Sequence, residues 1–467
     1  MSGERKTTAA EVLPAGNGAD ADVSGGKGAV ITGGTGTVAE GSAPVNSTGR
    51  IVVASLVGTA IEYYDFYIYA TAAALVLGPL FFPGESEGAQ LLSAFASFSI
   101  AFIARPLGAA LFGHFGDRVG RKATLVAALL IMGLSTTLIG LLPVYAEIGF
   151  WAPLLLCLLR FGQGIGLGGE WGGAALLATE NAPPGKRAWF GMFPQLGAPI
   201  GFLLANGLFL LLALGLTDAE FRAWGWRIPF LLSAVLLGVG LYVRFSLAET
   251  PAFRKTLERN ERVELPLLVL LRGYGKPALL GTLGMVICYA LFYIATVFSL
   301  SHGTRELGFA RQDFLALECI AIVFMALAIP LSARAADTWG RRPVMLAGCV
   351  LAAASGFLME PLFREGGALG ITVFLSLELF LMGMIFGPMG AFLPELFPTR
   401  VRYTGASLAY NLGGIVGASF APYLAQRLVM AGGLPWVGGY VTVAAVISFV
   451  AIWCVQETRE RSLDEVR

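Results

Sequence analysis

The chain has 467 residues, of which 13 % are Asp, Glu, Lys or Arg and 56 % are hydrophobic. A soluble globular protein carries about 25 % charged residues, and a soluble surface this poor in charge would expose large apolar patches. A soluble enzyme, a nucleic-acid-binding module and a disordered scaffold are therefore excluded, and 32 basic against 31 acidic residues leave no reason for a nucleic-acid partner.

In chain order, residues 1–49 are rich in Gly, Ala, Ser and Thr and read as a disordered tail without the apolar core of a signal peptide. Twelve apolar stretches then follow, each close to the ~20 residues a membrane helix needs. They run 51–77, 89–113, 123–143, 152–178, 188–214, 227–248, 277–300, 313–333, 343–360, 370–393, 403–426 and 435–456. The expected fold is all-α and polytopic, with a tail (1–49), a six-helix bundle (50–248), a linker (249–276), a second bundle (277–456) and a C-terminal tail (457–467). Of the 32 basic residues, 24 fall on the side of the N-terminus, 6 on the other side, and Arg105 and Arg160 inside spans. The positive-inside rule puts both termini in the cytoplasm, which makes this a multi-pass plasma-membrane protein, or inner-membrane in a Gram-negative cell. The five cysteines show no metal spacing and read as small core hydrophobes. His114 and His302 read as plain loop histidines.

The chain repeats itself. Asp117, Gly120 and Arg121 after the second span recur 220 residues later as Asp337, Gly340 and Arg341 after the eighth. Glu180, Pro183 and Arg187 after the fourth span recur 215 residues later as Glu395, Pro398 and Arg402 after the tenth. Two similar offsets in unrelated motifs imply two six-span halves, an arrangement that puts a transporter's site near mid-membrane between the repeats.

GHFGDRVGRK resembles the loop signature of the major facilitator superfamily. RFGQGIGLGGEWGGAALLATE, with EYYDFYIYA and WGWRIPFL, resembles the metabolite:proton symporters that carry shikimate, α-ketoglutarate, citrate, proline or betaine. The resemblance covers all twelve spans. It implies a monomeric secondary transporter with no cofactor beyond the proton, whose partners are the bilayer and a small carboxylate or zwitterion.

Charges inside spans are costly and are functional candidates. Asp65 and Arg160 lie about 21 and 18 Å from the cytoplasmic face at 1.5 Å per residue. In related proton-coupled transporters an Asp of span 1 pairs with an Arg of span 4. Asp65, Glu62 and Arg160 are thus the expected proton-coupling group. Arg105 reaches either Glu170 or a substrate carboxylate. Glu318 and Glu378 lie nearer the outer face, within reach of water. The resemblance lines the cavity with spans 1, 4, 7 and 10. Expected substrate contacts are Arg105, Tyr63, Tyr64, Arg160, Gln163, Glu170, Trp171, Gln195, Tyr289, Tyr293, Glu378 and Asn411. Tyr67, Phe292, Thr296 and Asn206 are further polar or aromatic span residues. The resemblance also assigns gating to Asp117, Arg121, Glu180, Asp337, Arg341 and Glu395.

The function implied is proton-coupled symport of a small organic acid or zwitterion by alternating access. The alternatives are a proton-coupled antiporter or exporter, for which GAPIG is a partial match to the antiporter signature, and a transport-fold receptor. No nucleophile–His pair, metal cluster or phosphate loop points to an enzyme.

Overall fold

A computed structural model describes residues 48–460 except 85, 120, 247–265 and 400, without the side chains of 48, 50, 51, 113–125, 244, 246 and 266. Residues 1–47 of the expected tail, most of the linker, and the side chains of His114, Asp117 and Arg121 lie outside that description.

The described residues form twelve helical columns, as a bilayer requires when no water is present to satisfy backbone groups. Span 1 is Val52–Phe81, span 2 Glu87–Val119, span 3 Arg121–Leu141 and span 4 Trp151–Glu180. Spans 5 and 6 are Arg187–Gly215 and Arg227–Ser246, and a short helix, Pro266–Gly273, precedes span 7, Gly275–Arg305. Spans 8, 9 and 10 are Arg311–Trp339, Arg341–Arg364 and Gly367–Glu395. Span 11 covers 402–432 and span 12 is Leu434–Trp453. Leucines and other large apolar side chains such as Leu203, Leu211, Val235 and Val446 cover the outside, where lipid replaces water. Cys288 and Cys349 are buried, but Cys454 is exposed past the end of span 12, where no core remains to cover it.

Several spans are interrupted where the two halves meet. Spans 1 and 7 each contain a π-helical turn, Ala73–Leu77 and Ile294–Phe298, at equivalent places in the repeat. Such bulges re-aim side chains and recur at functional sites. Span 4 breaks at Gly168–Glu170 between Trp151–Leu167 and Trp171–Glu180. His302 lies inside span 7, not in a loop; it is buried and stacked on Phe298 with ring centroids 5.5 Å apart.

The halves touch at both ends. At the end that carries the termini, Gly191 of span 5 meets Gly390 of span 10 so closely that a Cβ on Gly390 would collide with the Gly191 carbonyl. Two ion pairs exchange repeat partners across the divide. Arg187 of the first half reaches Glu395 of the second at 2.9 Å, and Arg402 of the second reaches Glu180 of the first at 3.7 Å. Arg341 joins Glu395 and Asp337, both at 3.1 Å. Asp337 in turn accepts from the backbone N–H of Ala188 and Trp189, capping span 5 from the other half. Glu457, just past span 12, accepts from the backbone N–H of Arg341 and Arg342. Nearer the middle, the Ser99 hydroxyl of span 2 donates to the Ser419 carbonyl of span 11, and Ser419 returns a bond to Ser99. At the opposite end, Arg311 of the second half pairs with Asp218 of the first at 3.0 Å. The molecule is therefore in an occluded arrangement.

Removing one partner of a buried ion pair costs about 3–5 kcal/mol, whereas exposed pairs contribute about 0–1 kcal/mol. Glu395→Gln is therefore expected to lower the melting temperature of the purified protein by several degrees. Arg364→Ala, which breaks an exposed pair with Glu360, should leave it nearly unchanged. Equal shifts in differential scanning fluorimetry would show that these charges do not hold the end closed.

Candidate functional site

The centre of the molecule is built around Arg105. Span 2 carries it inward, and span 4 lies close alongside because Gly164 and Gly168 expose bare backbone; a Cβ on either would strike the carbonyls of Ala101 and Arg105. Arg105 is 4 % exposed. Its guanidinium sits over the rings of Phe66 and Phe102, at 4.4 and 4.3 Å from their centroids. It lies within electrostatic reach of the hydroxyls of Tyr67, Tyr289, Tyr293 and Tyr410, drawn from both halves. Its Nε has no hydrogen-bond partner, and among the described residues no carboxylate, Glu170 included, pairs with it. A desolvated cation–π contact is worth about 2 kcal/mol, less than the several kcal/mol it costs to take a cation out of water. Arg105 is thus an incompletely neutralised cation between the halves, and an anion is the chemistry that completes it.

The rings around it form one aromatic cluster. Trp171 and Tyr410 stack with centroids 4.0 Å apart and planes 4° from parallel. The Tyr63 and Tyr410 hydroxyls are 2.6 Å apart, and Tyr67 stacks on Phe292 at 4.8 Å. Tyr289 donates to the Tyr410 carbonyl, and Tyr293 packs edge-on against Phe98 and Phe102. Gln195 is held from both sides, accepting from Trp171 Nε1 at 2.9 Å and donating to the Phe386 carbonyl of span 10 at 3.0 Å. Asn411 donates to the Gly168 carbonyl across the divide at 2.9 Å. These two amides brace the halves with their own hydrogen bonds. Glu170, at the break of span 4, is 1 % exposed.

The expected Asp65–Arg160 ion pair is not formed. Both are buried, but the first half separates them laterally. Arg160 Nη1 donates to Gln163 Oε1 and Nη2 to the Phe98 carbonyl, and its guanidinium lies 3.8 Å over the Tyr69 ring. Gln163 Nε2 donates to the Thr136 hydroxyl at 2.6 Å and to the backbone carbonyl of Asp65. The Asp65 carboxyl lies beside the hydroxyls of Thr136 and Ser233, and its Oδ1 has no partner. A polar line therefore stands in place of the direct bridge: Thr136, which donates its own hydroxyl to the Met132 carbonyl, lies between the Asp65 carboxyl and Gln163, and Gln163 bonds Arg160. Arg160 and Gln163 spend their hydrogen bonds inside the first half rather than on a cavity. Tyr64 points away too, donating to the Pro229 carbonyl of span 6 at 2.8 Å, because one residue turns a helical side chain by about 100° from its neighbour. Glu62, one turn before Asp65, is 3 % exposed.

Glu318 and Glu378 do not reach water; each is 1 % exposed. Glu378 faces Ser355 of span 9 inside the second half, away from the halves' meeting surface. Glu318 faces the first half. A crevice too narrow to admit water is lined by Tyr67, Thr71, Phe202, Phe292, Thr296 and Glu318, with Ala70, Val297 and Leu300. Thr71, Phe202 and Arg187 were not singled out for a site by the sequence. Hydroxyl residues on an otherwise apolar span and the repeat mate of Arg402 were the available signals.

The family profile of sugar (and other) transporters matches residues 51–265 and 259–467. The chain is 54 % identical over 425 residues to the inner membrane metabolite transport protein YhjE of Escherichia coli (strain K12), covering 90 % of this chain and 97 % of that one. It is 37 % identical to the shikimate transporter of that organism over 429 residues, covering 90 % and 97 %. It is 32 % identical to its proline/betaine transporter, covering 89 % and 84 %. Among solved structures, the major facilitator proton:xylose symporter XylE bound to 6-bromo-6-deoxy-D-glucose superposes with a TM-score of 0.73 at 18 % identity, over 90 % of this chain and 98 % of that one, which is a likeness of fold. With a profile match across both halves and relatives this similar over nine-tenths of its length, the chain belongs to the sugar (and other) transporter family of the major facilitator superfamily.

Proposed function

We propose that the protein is a proton-coupled symporter of a small organic acid or zwitterion, working by alternating access in the inner membrane with both termini cytoplasmic. The observation that carries this reading is Arg105, a buried guanidinium held by the rings of Phe66 and Phe102, with no carboxylate among the described residues paired to it. A substrate carboxylate meeting it gains a charge-assisted, bidentate bond. The surrounding rings of Tyr63, Tyr67, Tyr289, Tyr293 and Trp171 suit a compact apolar or ring-bearing body, or a quaternary ammonium. Two relatives are named for shikimate and for proline or betaine, all of which bear a carboxylate. Carriage of shikimate-like acids and of betaines is the reading tested first.

Proton coupling is assigned to Asp65. It lies in the first half with a free carboxylate oxygen beside Thr136, and Gln163, which donates to both Thr136 and the Asp65 backbone carbonyl, relays to Arg160. Taking up a proton changes what Asp65 donates and accepts, and the relay passes that change to the arginine that pins spans 1, 2 and 4. The solved proton:xylose symporter has the same fold, which makes coupling of this kind compatible with the architecture. Glu180, Asp337, Arg341 and Glu395 form, in this reading, the cytoplasmic gate that must part for release.

Hydrogen bonds to charged groups contribute about 1.5–3 kcal/mol, and about 1.4 kcal/mol is tenfold in affinity. Arg105→Gln is therefore expected to weaken binding of radiolabelled carboxylate by about tenfold to a hundredfold, with Arg105→Lys retaining part of it. Unchanged binding by Arg105→Gln would remove the anion anchor from this scheme.

In right-side-out vesicles, wild-type uptake should collapse when a protonophore is added. Asp65→Asn should lose uphill uptake and its dependence on external pH while keeping counterflow. Uphill uptake that survives in Asp65→Asn would move coupling elsewhere.

A further inference from the structure

The crevice beside the central cluster holds a carboxyl group that the scheme above does not use. Glu318 of span 8 belongs to the second half, and spans 1 and 5 face it from the first. The Thr71 hydroxyl of span 1 donates to Asn206 Oδ1 at 2.6 Å. Asn206 Nδ2 of span 5 donates to Glu318 Oε2 at 2.6 Å. The three side chains are 3 %, 1 % and 1 % exposed. This is one continuous hydrogen-bonded line across the divide, toward the end opposite the termini. The other carboxyl oxygen, Oε1, is buried without a partner. We infer that Glu318, Asn206 and Thr71 form a proton-operated latch, a proton-binding site separate from Asp65, that holds the two halves together at the end away from the termini.

The argument rests on what the crevice offers. Its lining is otherwise apolar, apart from the hydroxyls of Tyr67 and Thr296, and the Thr296 hydroxyl is taken by the Phe292 carbonyl. Among the described residues, no cation reaches Glu318. The basic residues at this rim are engaged elsewhere, Arg311 with Asp218 at 3.0 Å and Arg305 with Glu87 at 3.8 Å. Of the titratable groups on spans 1, 5, 7, 9 and 10, only Tyr67 lines the same crevice, and Cys319 is its neighbour on span 8. A carboxylate left here would have one donor, no counter-ion and no water, which is costly. A neutral carboxyl keeps the Asn206 bond and leaves only one polar oxygen unpartnered, a smaller cost than an unpaired charge. When the halves part at this end, water enters, the Glu318 O–H releases its proton to that water, and the resulting carboxylate stays hydrated. Closure then requires the proton to return. The latch therefore ties closure at this end to one proton, whatever the state of Asp65. It rests on the alternating-access reading, but its test measures opening directly and needs no transported substrate.

The test uses the purified full-length protein in nanodiscs with Leu300→Cys at the crevice lining. Cys157, Cys288, Cys319 and Cys349 are replaced by serine or alanine, and the exposed Cys454 is kept as an internal standard for the pH dependence of thiol chemistry. Maleimide labelling at position 300, divided by the rate at Cys454, is followed from pH 5.5 to 8.5. The ratio should rise about tenfold with pH in this background and also in Asp65→Asn. It should stay low and flat in Glu318→Gln, which keeps the hydrogen bond to Asn206 but cannot titrate. Glu318→Met, similar in volume, should be flat with pH as well. A pH response that survives in both Glu318 variants, or that disappears in Asp65→Asn, overturns the latch. A flat ratio in the starting background overturns it too. Loss of substrate binding in Arg105→Gln with the latch response intact would count against the proposed function alone.

Discussion

A charge inside a bundle as thick as a bilayer has no water to turn to, and this constraint organises the molecule. Each buried ionic group must find a partner in protein, lose its charge, or await a ligand. The three outcomes are distributed in space. At the end carrying the termini, arginines and carboxylates satisfy one another across the halves. Inside the first half, Arg160 is satisfied by Gln163, a backbone carbonyl and a ring. In the middle, Arg105 has, among the described residues, the rings of Phe66 and Phe102 and no hydrogen-bonded or ionic partner. Arg105, at the proposed binding site, is thus the buried arginine left without a hydrogen bond or ion pair among the described residues.

The internal repeat supplies two halves with the same backbone plan but different chemistry. Its clearest product is the exchange of partners at the rim, where Arg187 meets Glu395 and Arg402 meets Glu180. Because each residue bonds to the repeat mate of its own half's counterpart, closing this end forms both pairs together and opening it breaks both. The glycine pair Gly191 and Gly390 lets the backbones come near enough for this to happen. The polar chemistry of the interior is not symmetric. Arg105, Asp65 and Arg160 lie in the first half, and Glu318 of the second faces Asn206 and Thr71 of the first. In the proposed scheme the substrate meets the surface shared by both halves at Arg105, while Asp65 takes its proton inside the first half.

How much of this was legible varied with the kind of information required. The twelve spans, the two halves and the inward placement of Arg105 followed from apolar run length, motif offsets and the isolation of a charge in an apolar stretch. Depth along the membrane was also readable, and it set Asp65 and Arg160 at similar levels. Their pairing failed on rotation. A rise of 1.5 Å per residue tolerates small errors in where a span begins, but about 100° of turn per residue does not. The same reason sends Tyr63 toward Tyr410 and its neighbour Tyr64 toward Pro229. Glu318 was placed near water because its depth was known and the neighbour covering it was not.

The sequence by itself determined the solvent, the number of crossings, the duplication and the short set of charges that the membrane core must accommodate, because these depend on composition and on distances along one chain. The tertiary structure alone decided which charges are satisfied. It put Gln163 between Asp65 and Arg160, left Arg105 among rings, and brought Asn206 of one half onto Glu318 of the other. Those outcomes depend on the azimuth of each helix and on how closely two backbones approach, and both are settled only when all twelve spans pack together.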